Sequence, residues 1–469
     1  MGKVFELGIF IFRRDLRLED NTGLLHILEN CELVLPVFIL DPYLLNASPR
    51  KKPAIQNMVE SLEDLDQKLR GRGSRLYLLE GKPEEEIERL VSQNFSKVDS
   101  KRLAIGFNFD YTPYSIKRDE GLKAQAKKKG WGFEAKHDQT LAVPGEVMNG
   151  DEEPYKVFTP FYKRAREIPV PIPRKNNFSN YYSSNIKDER GLDYLEKVLP
   201  LGERSDRYIG RGGREAGKAQ LNKLNDLTNY KSSRDKLELE SGTSHLSMYN
   251  KFGTLSIREI YHKAKGMFGG DSSFISELYW RDFYQHIGYF FPESFETEFQ
   301  EQYSGFPWRK DKALFEKWCE GKTGYPIVDA AMRQLNESAY MHNRARMIVA
   351  SFLTKDMLID WRLGEGYFAE KLIDYDHAVN VGSWQWAAST GTDAQPYFRI
   401  FNPWLQQKKF DPEAKYIKRW LPELKDASAK QIHALEKKND LSYYEQIVDH
   451  YEMRKTAISL FQEWKDKSN

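Results

Sequence analysis

Cysteine is nearly absent. The 469 residues hold two, Cys31 and Cys319, which argues against a disulfide framework. A cysteine-held iron–sulfur cluster would need about four thiolates. The scarcity points to an intracellular chain. No apolar run reaches the ~20 residues that a membrane helix requires, so no membrane partner is expected. The opening MGKVFELGIFIF has a short apolar run and no small-residue cleavage site, and it reads as a first strand, not a secretion signal. Charge of one sign is also lacking. The net charge is +2, so any nucleic-acid contact must come from a local patch. Missing too are a P-loop, a GxGxxG after a strand, an HExxH and a GxSxG. GRGGRE at 210–215 is glycine-rich but lies outside a strand–helix unit, and it reads as a loop. No internal repeat stands out, and no metal is expected.

Aromatic residues are plentiful at 13%, with 10 Trp. Composition alone favours a large core over stacking or electron transfer. Apolar runs of strand length occur at 7–12, 34–40, 75–81 and 102–109. Between the second and third, Ile55, Met58, Val59, Leu62, Leu65 and Leu69 recur at helical spacing. That rhythm predicts a doubly wound parallel sheet in an α/β domain over 1–140. A stretch rich in Pro, Asn and Ser, including PVPIPRKNNFSNYYSSN, marks a connector over 141–200. From 201 to 469 strand signals vanish and helical patterns dominate, for example over 326–353.

Several long segments carry a resemblance. They are FIFRRDLRLEDN (10–21), PYKVFTPFYKR (154–164), ELYWRDFYQH (277–286), KTGYPIVDAAMRQL (322–335), MHNRARMIVASFLTKDMLIDWRLGEGYF (341–368) and WQWAASTGTDAQPYFRIFNP (384–403). Together they resemble the photolyase/cryptochrome family, closest to class I photolyases for cyclobutane pyrimidine dimers. The resemblance spans nearly the whole chain. It implies an N-terminal α/β domain, a connector and a helical domain that holds FAD.

By that resemblance, Thr243, Ser244, His245, Leu246 and Ser247 form the segment that binds FAD. Hydroxyls and backbone N–H groups suit a pyrophosphate, although Ser/Thr clusters on their own are usually caps or turns. Tyr230 and Arg234 match positions at the cofactor's polar end. Asp374 and Asp376 match acidic positions beside the ring and ribityl chain, with Arg346 as the compensating cation. Asn380 matches the residue facing the redox-active ring nitrogen. It is neutral and supplies no proton readily, which favours a fully reduced, anionic flavin as the working form.

The same resemblance implies a substrate pocket. Glu277 and Trp280 share a helix face at i and i+3 and match the dimer's hydrogen-bonding carboxyl and its aromatic wall. Asn343 and Met347, at i and i+4, match a polar contact and an apolar floor. Relatives that repair (6-4) lesions carry His at both positions. Trp386 matches a stacking partner for the flipped lesion, while Trp384, Trp361 and Trp308 match an electron relay. Arg344, Lys156, Lys163, Arg399, Lys408 and Lys409 are the basic residues expected to meet DNA phosphates.

The implied activity is light-driven repair of pyrimidine dimers by electron transfer from reduced FAD. The alternative is a cryptochrome-type blue-light receptor without repair. For an antenna chromophore, Tyr114-Ser115 stand where folate-binding relatives use Asn-Glu, so a deazaflavin is favoured over folate, or no antenna. The expected partner is UV-damaged DNA and the expected state a monomer. The expected location is the cytoplasm on the nucleoid, or the nucleus in a eukaryote.

Overall fold

The computed structural model describes residues 3–42, 52–199, 201, 204–227, 229–438 and 440–468. Five strands form one parallel sheet: β1 (Phe5–Phe12), β2 (Cys31–Leu40), β3 (Tyr77–Glu80), β4 (Leu103–Asn108) and β5 (Gly132–Lys136), in the order β3-β2-β1-β4-β5. Ile9 sits opposite Leu35 on one side and Ile105 on the other. The inner strands are continuous apolar runs because helices cover both faces. The expected four strands are all present. β5, GFEAK, is additional: every residue of this edge strand is half-buried, so it carries no apolar run to announce it.

The helix Lys52–Arg70 forms as its spacing predicts and buries Val59, Leu62, Leu65 and Leu69. GRGGRE docks on this helix. A side chain at Gly212 would lie 2.5 Å from the Asn57 carbonyl oxygen, and Gly213 has φ 94°. The amides of Gly212, Gly213 and Arg214 are taken by Glu60 Oε2, Ser61 Oγ and Asp64 Oδ2, so the loop serves packing.

The connector is irregular but not loose. Phe158–Ala165 is helical and packs on the long helix Ser273–Phe290. Further on, the segment lies along the sheet: Val34 N donates to Asn180 O and Tyr182 N to Val34 O.

Beyond β5 the named elements are all helical. The pattern over 326–353, read as helical throughout, is two helices. Pro326–Ser338 ends at Ala339, which takes a left-handed φ of 56°. Asn343–Ser351 then restarts behind His342, whose ring Nδ1 accepts from Arg344 N at 3.1 Å. It runs into a π-helical turn, Phe352–Asp356. Trp361–Lys371 and His377–Ala388 complete the helices around the site.

Candidate functional site: a cofactor cradle beside a polar wall

Strand order reverses around β1 and β4, which opens a crevice at their C-terminal ends. The motif FRRD fills it. Arg14 leaves the end of β1 and pairs with Asp376 of the helical half, while its Nη1 lies 3.3 Å from Asp110. Arg17 pairs with Asp138 at 2.6 Å, and Arg258 bridges Asp138 at 2.8 Å and Asp20 at 2.9 Å. Burial would push the Asp138 carboxyl up, but Arg17 and Arg258 outweigh it and hold it well below the usual range.

Asp376 is expected beside a flavin, and its carboxylate is fully engaged by protein. Arg14 takes Oδ2, and Gln285 Nε2 donates to Oδ1 at 2.9 Å. Burial opposes its charge, yet Arg14, Arg281 and Lys251 keep the carboxyl below its ordinary value. Asp374 is engaged differently. Arg346 Nη2 reaches its two oxygens at 3.1 and 2.8 Å, and Ser247 Oγ donates at 2.6 Å. Arg346 Nε donates to Met341 O at 2.8 Å, so the fork is held from both sides. This joins three residues expected at the cofactor.

The segment Thr243–Ser247 turns sharply at His245, where φ is 50°, a conformation that a non-glycine residue adopts at some cost. The His245 ring lies 5.0 Å from that of Tyr340, and Leu246 is buried in the helical core. Ser244 O accepts from Gln220 Nε2 at 2.9 Å. Asn380 sits on the helix His377–Ala388 and its Nδ2 donates to Glu365 Oε1 at 3.0 Å. What the side chain still offers is its carbonyl oxygen, an acceptor, which suits a ring N–H. Hydroxyls at one end, the Arg346–Asp374 pair and this acceptor are a donor set that fits FAD.

Glu277 and Asn343, two of the expected substrate residues, sit on helices tied to one segment. Glu277 Oε1 accepts from Arg234 Nη1 at 2.7 Å. Arg234 is thus tied to the pocket carboxylate, while Tyr230 packs on Phe274 and Phe268 at 5.0 and 6.2 Å between ring centres. Trp280 stacks on Phe158 at 3.7 Å and 10°. Asn343 Nδ2 and Met347 Sδ lie 4.0 Å apart on one helix face. The residue after Arg234, Asp235, accepts from Arg344 Nη2 at 2.9 Å. Residues 234 and 235 therefore clamp the Glu277 helix and the Asn343 helix to one another.

Trp384 is buried, 5.0 Å from Phe368 and 6.1 Å from Trp318 by ring centres. Two positions on, Trp386 is half-buried, as their spacing on a helix predicts. Trp384 and Trp361 lie in one apolar cluster against which Trp308 packs, and Trp308 also touches the cluster built on Phe461. Among the described residues the buried indole N–H groups of Trp308 and Trp361 have no hydrogen-bond partner.

The remaining basic residues are scattered. Lys156, Lys163 and Arg399 are exposed. Lys408 is paired with Glu436 at 2.8 Å. Lys409 lies 5.1 Å from the centre of the Phe410 ring, which Arg344 approaches at 4.5 Å.

Sequence reasoning missed Asp235, Glu365, Phe158 and the role of Arg14. The first follows Arg234 directly. Phe158 and Arg14 lie inside quoted segments, but their partners are far away in sequence.

Sheet, crevice and cradle together describe a flavoprotein of two docked halves. The description "DNA photolyase" matches residues 9–176, and "FAD binding domain of DNA photolyase" matches residues 274–463. The deoxyribodipyrimidine photo-lyase of Alkalihalophilus pseudofirmus is 37% identical over 483 residues, covering 98% of this chain and 99% of that one. Among solved structures, an archaeal photolyase from Sulfolobus tokodaii with two FAD molecules is 41% identical, with TM-score 0.86, over 97% of this chain and 100% of that one. A class III photolyase from Agrobacterium tumefaciens is 33% identical, with TM-score 0.89, over 99% of each. The chain belongs to the DNA photolyase family.

Proposed function

We propose that the chain repairs cyclobutane pyrimidine dimers in DNA, using light and a bound, reduced FAD. The observation that carries the reading is the wall at Arg234-Asp235, which sets Glu277 and the Asn343–Met347 face on either side of one segment. Bound FAD supplies the electron that opens the cyclobutane ring and takes it back. The protein's part is to hold and orient. Glu277 and Asn343 offer hydrogen bonds to the flipped bases, Met347 an apolar floor, and Trp280 and Trp386 aromatic faces. Neither Asn nor Met is a general acid, so the pocket suits a lesion that needs an electron and no proton. That and the neutral Asn380 favour repair over a signalling role. Flipping costs only a few kcal/mol at a lesion that already disturbs pairing.

We assign 1–140 to the sheet domain, 141–200 to the connector and 201–469 to the cofactor domain. The sheet domain is where an antenna chromophore would bind in this reading, the alternative being no antenna. The Sulfolobus relative, described with two FAD molecules and a light-harvesting role, adds a second flavin to the deazaflavin alternative. The absorption spectrum before and after chromophore release distinguishes them.

The test is direct. Reduced protein is irradiated with an oligonucleotide carrying a thymine dimer, and thymine absorbance is followed. Recovery is expected; none, with flavin intact, overturns the reading. Glu277→Ala is expected to lower repair by about tenfold to a hundredfold, the worth of a charged hydrogen bond. Its flavin content should not change.

A further inference from the structure

Of the basic residues expected to meet DNA phosphates, Arg344 adjoins Asn343, and it is already engaged. Its Nη2 and Nε approach the same oxygen, Asp235 Oδ1, at 2.9 and 3.3 Å. Its guanidinium carbon lies 4.5 Å from the centre of the Phe410 ring. One edge of the fork is therefore fixed and one face is covered. Among the described residues Nη1 meets no protein acceptor, and the side chain is 19% exposed, so that edge of the fork is left to bind a ligand. Asp235 is itself fixed from behind. Leu237, two residues on, is buried and donates its N–H to the backbone carbonyl of Phe410 at 3.2 Å, tying the segment to the residue whose ring covers Arg344.

We infer that Asp235 is a specificity-determining positioning residue for damaged DNA. The inference rests on the reading of Arg344 as a phosphate contact. Asp235 has two opposed effects on the same arginine. At a distance its charge cancels that of Arg344, so an undamaged duplex, held by charge alone, gains little from this site. At contact it orients the free edge of the fork toward one place, which favours a strand whose lesion is seated beside Glu277 and Asn343 and whose phosphate arrives in that register. Binding to undamaged DNA is lowered while binding to the lesion is kept.

The experiment uses flavin-loaded protein in the dark, with one duplex carrying a thymine dimer and the same duplex undamaged, over a series of salt concentrations. Asp235→Asn is expected to tighten undamaged binding by about threefold, the range of a partly exposed ion pair. Its slope of log affinity against log salt should steepen by about 0.9, one phosphate's share. Affinity for the dimer duplex should stay level or fall, so the ratio of the two drops. Asp235→Glu, which keeps the charge, should restore the original slope. Equal changes on both duplexes, or no change on either, overturn the inference, as does a Glu variant that behaves like the Asn variant. If Asp235→Asn does not retain flavin, Asp235→Ser carries the same comparison. Arg344→Ala separates this idea from its foundation. If Arg344→Ala leaves dimer binding and its salt slope untouched, the phosphate reading itself fails. If it weakens binding while Asp235→Asn changes nothing, only the role of Asp235 fails.

Discussion

Arg14 and Asp376 join side chain to side chain across 362 positions of sequence, linking the end of the first strand to the N-terminus of a helix beside the cofactor cradle. Replacing Arg14 leaves a buried carboxylate short of its main cation. Arg14→Met is expected to cost about 3–5 kcal/mol, the usual loss on breaking a buried pair, and to lower the flavin-to-protein ratio. Adding Asp376→Asn should recover part of the stability. A single variant that unfolds at the wild-type denaturant concentration would count against the pairing.

Acidity acts on this molecule in two directions. The Asp376 carboxyl is held below its unfolded value, so its contribution is present above about pH 4 and is lost as pH falls further. Asp282 runs the other way. It accepts the amides of Leu141 and Ala142 at 2.7 and 3.0 Å, and burial pushes its carboxyl up to about 7. The native state keeps a proton that the unfolded chain loses near pH 4. Its contribution is full below that and is lost as pH rises through 7. Asp282→Asn keeps an acceptor without the charge. Relative to wild type it should gain up to a few kcal/mol at pH 8, and the gap should close near pH 4. Urea midpoints across that range are the measurement, and a gap independent of pH would contradict the assignment.

Trp308 stands between the cluster holding Trp361 and Trp384 and the one built on Phe461. Trp308→Phe keeps an aromatic ring there but removes a readily oxidised indole. Protein with oxidised flavin should then lose photoreduction by external donors, while protein reduced chemically should repair as before. Loss of both, or of neither, would remove Trp308 from the relay.

Gly364 gives Trp384 its room. A Cβ there would press into the Trp384 ring and come within 2.6 Å of Leu353 Cδ2. Gly364→Ala is expected to cost about 1–3 kcal/mol, as overpacking does, and to displace that indole. Lowered thermal stability with slowed flavin photoreduction is the expected pair of results; a variant normal in both would show that the helices yield at no cost.

The sheet half was legible because buried parallel strands are continuous apolar runs, and β5 escaped because an edge strand is not. The helical half was legible in kind, but the break at Ala339 was hidden. A left-handed alanine leaves no mark in an apolar pattern, and the cap that restarts the helix is a histidine. Resemblance supplied Glu277, Asn343, Met347 and Arg346, and the structure joins Arg346 to Asp374 and Glu277 to Arg234. Neither spacing nor motif could show that Asp235 holds Arg344, 109 positions away, or that Asn380 leans on Glu365 of the preceding helix, because both contacts depend on how separate segments are set side by side.

The charged seam between the halves bears on how the molecule comes apart. Arg14, Arg17 and Asp20 on one side interlock with Arg258 and Asp376 on the other. A protease cut in the exposed part of the connector would sever the backbone and leave the fragments clasped. Either fragment made alone would carry bare ions into solvent, so the halves are better regarded as one cooperative body than as modules on a string.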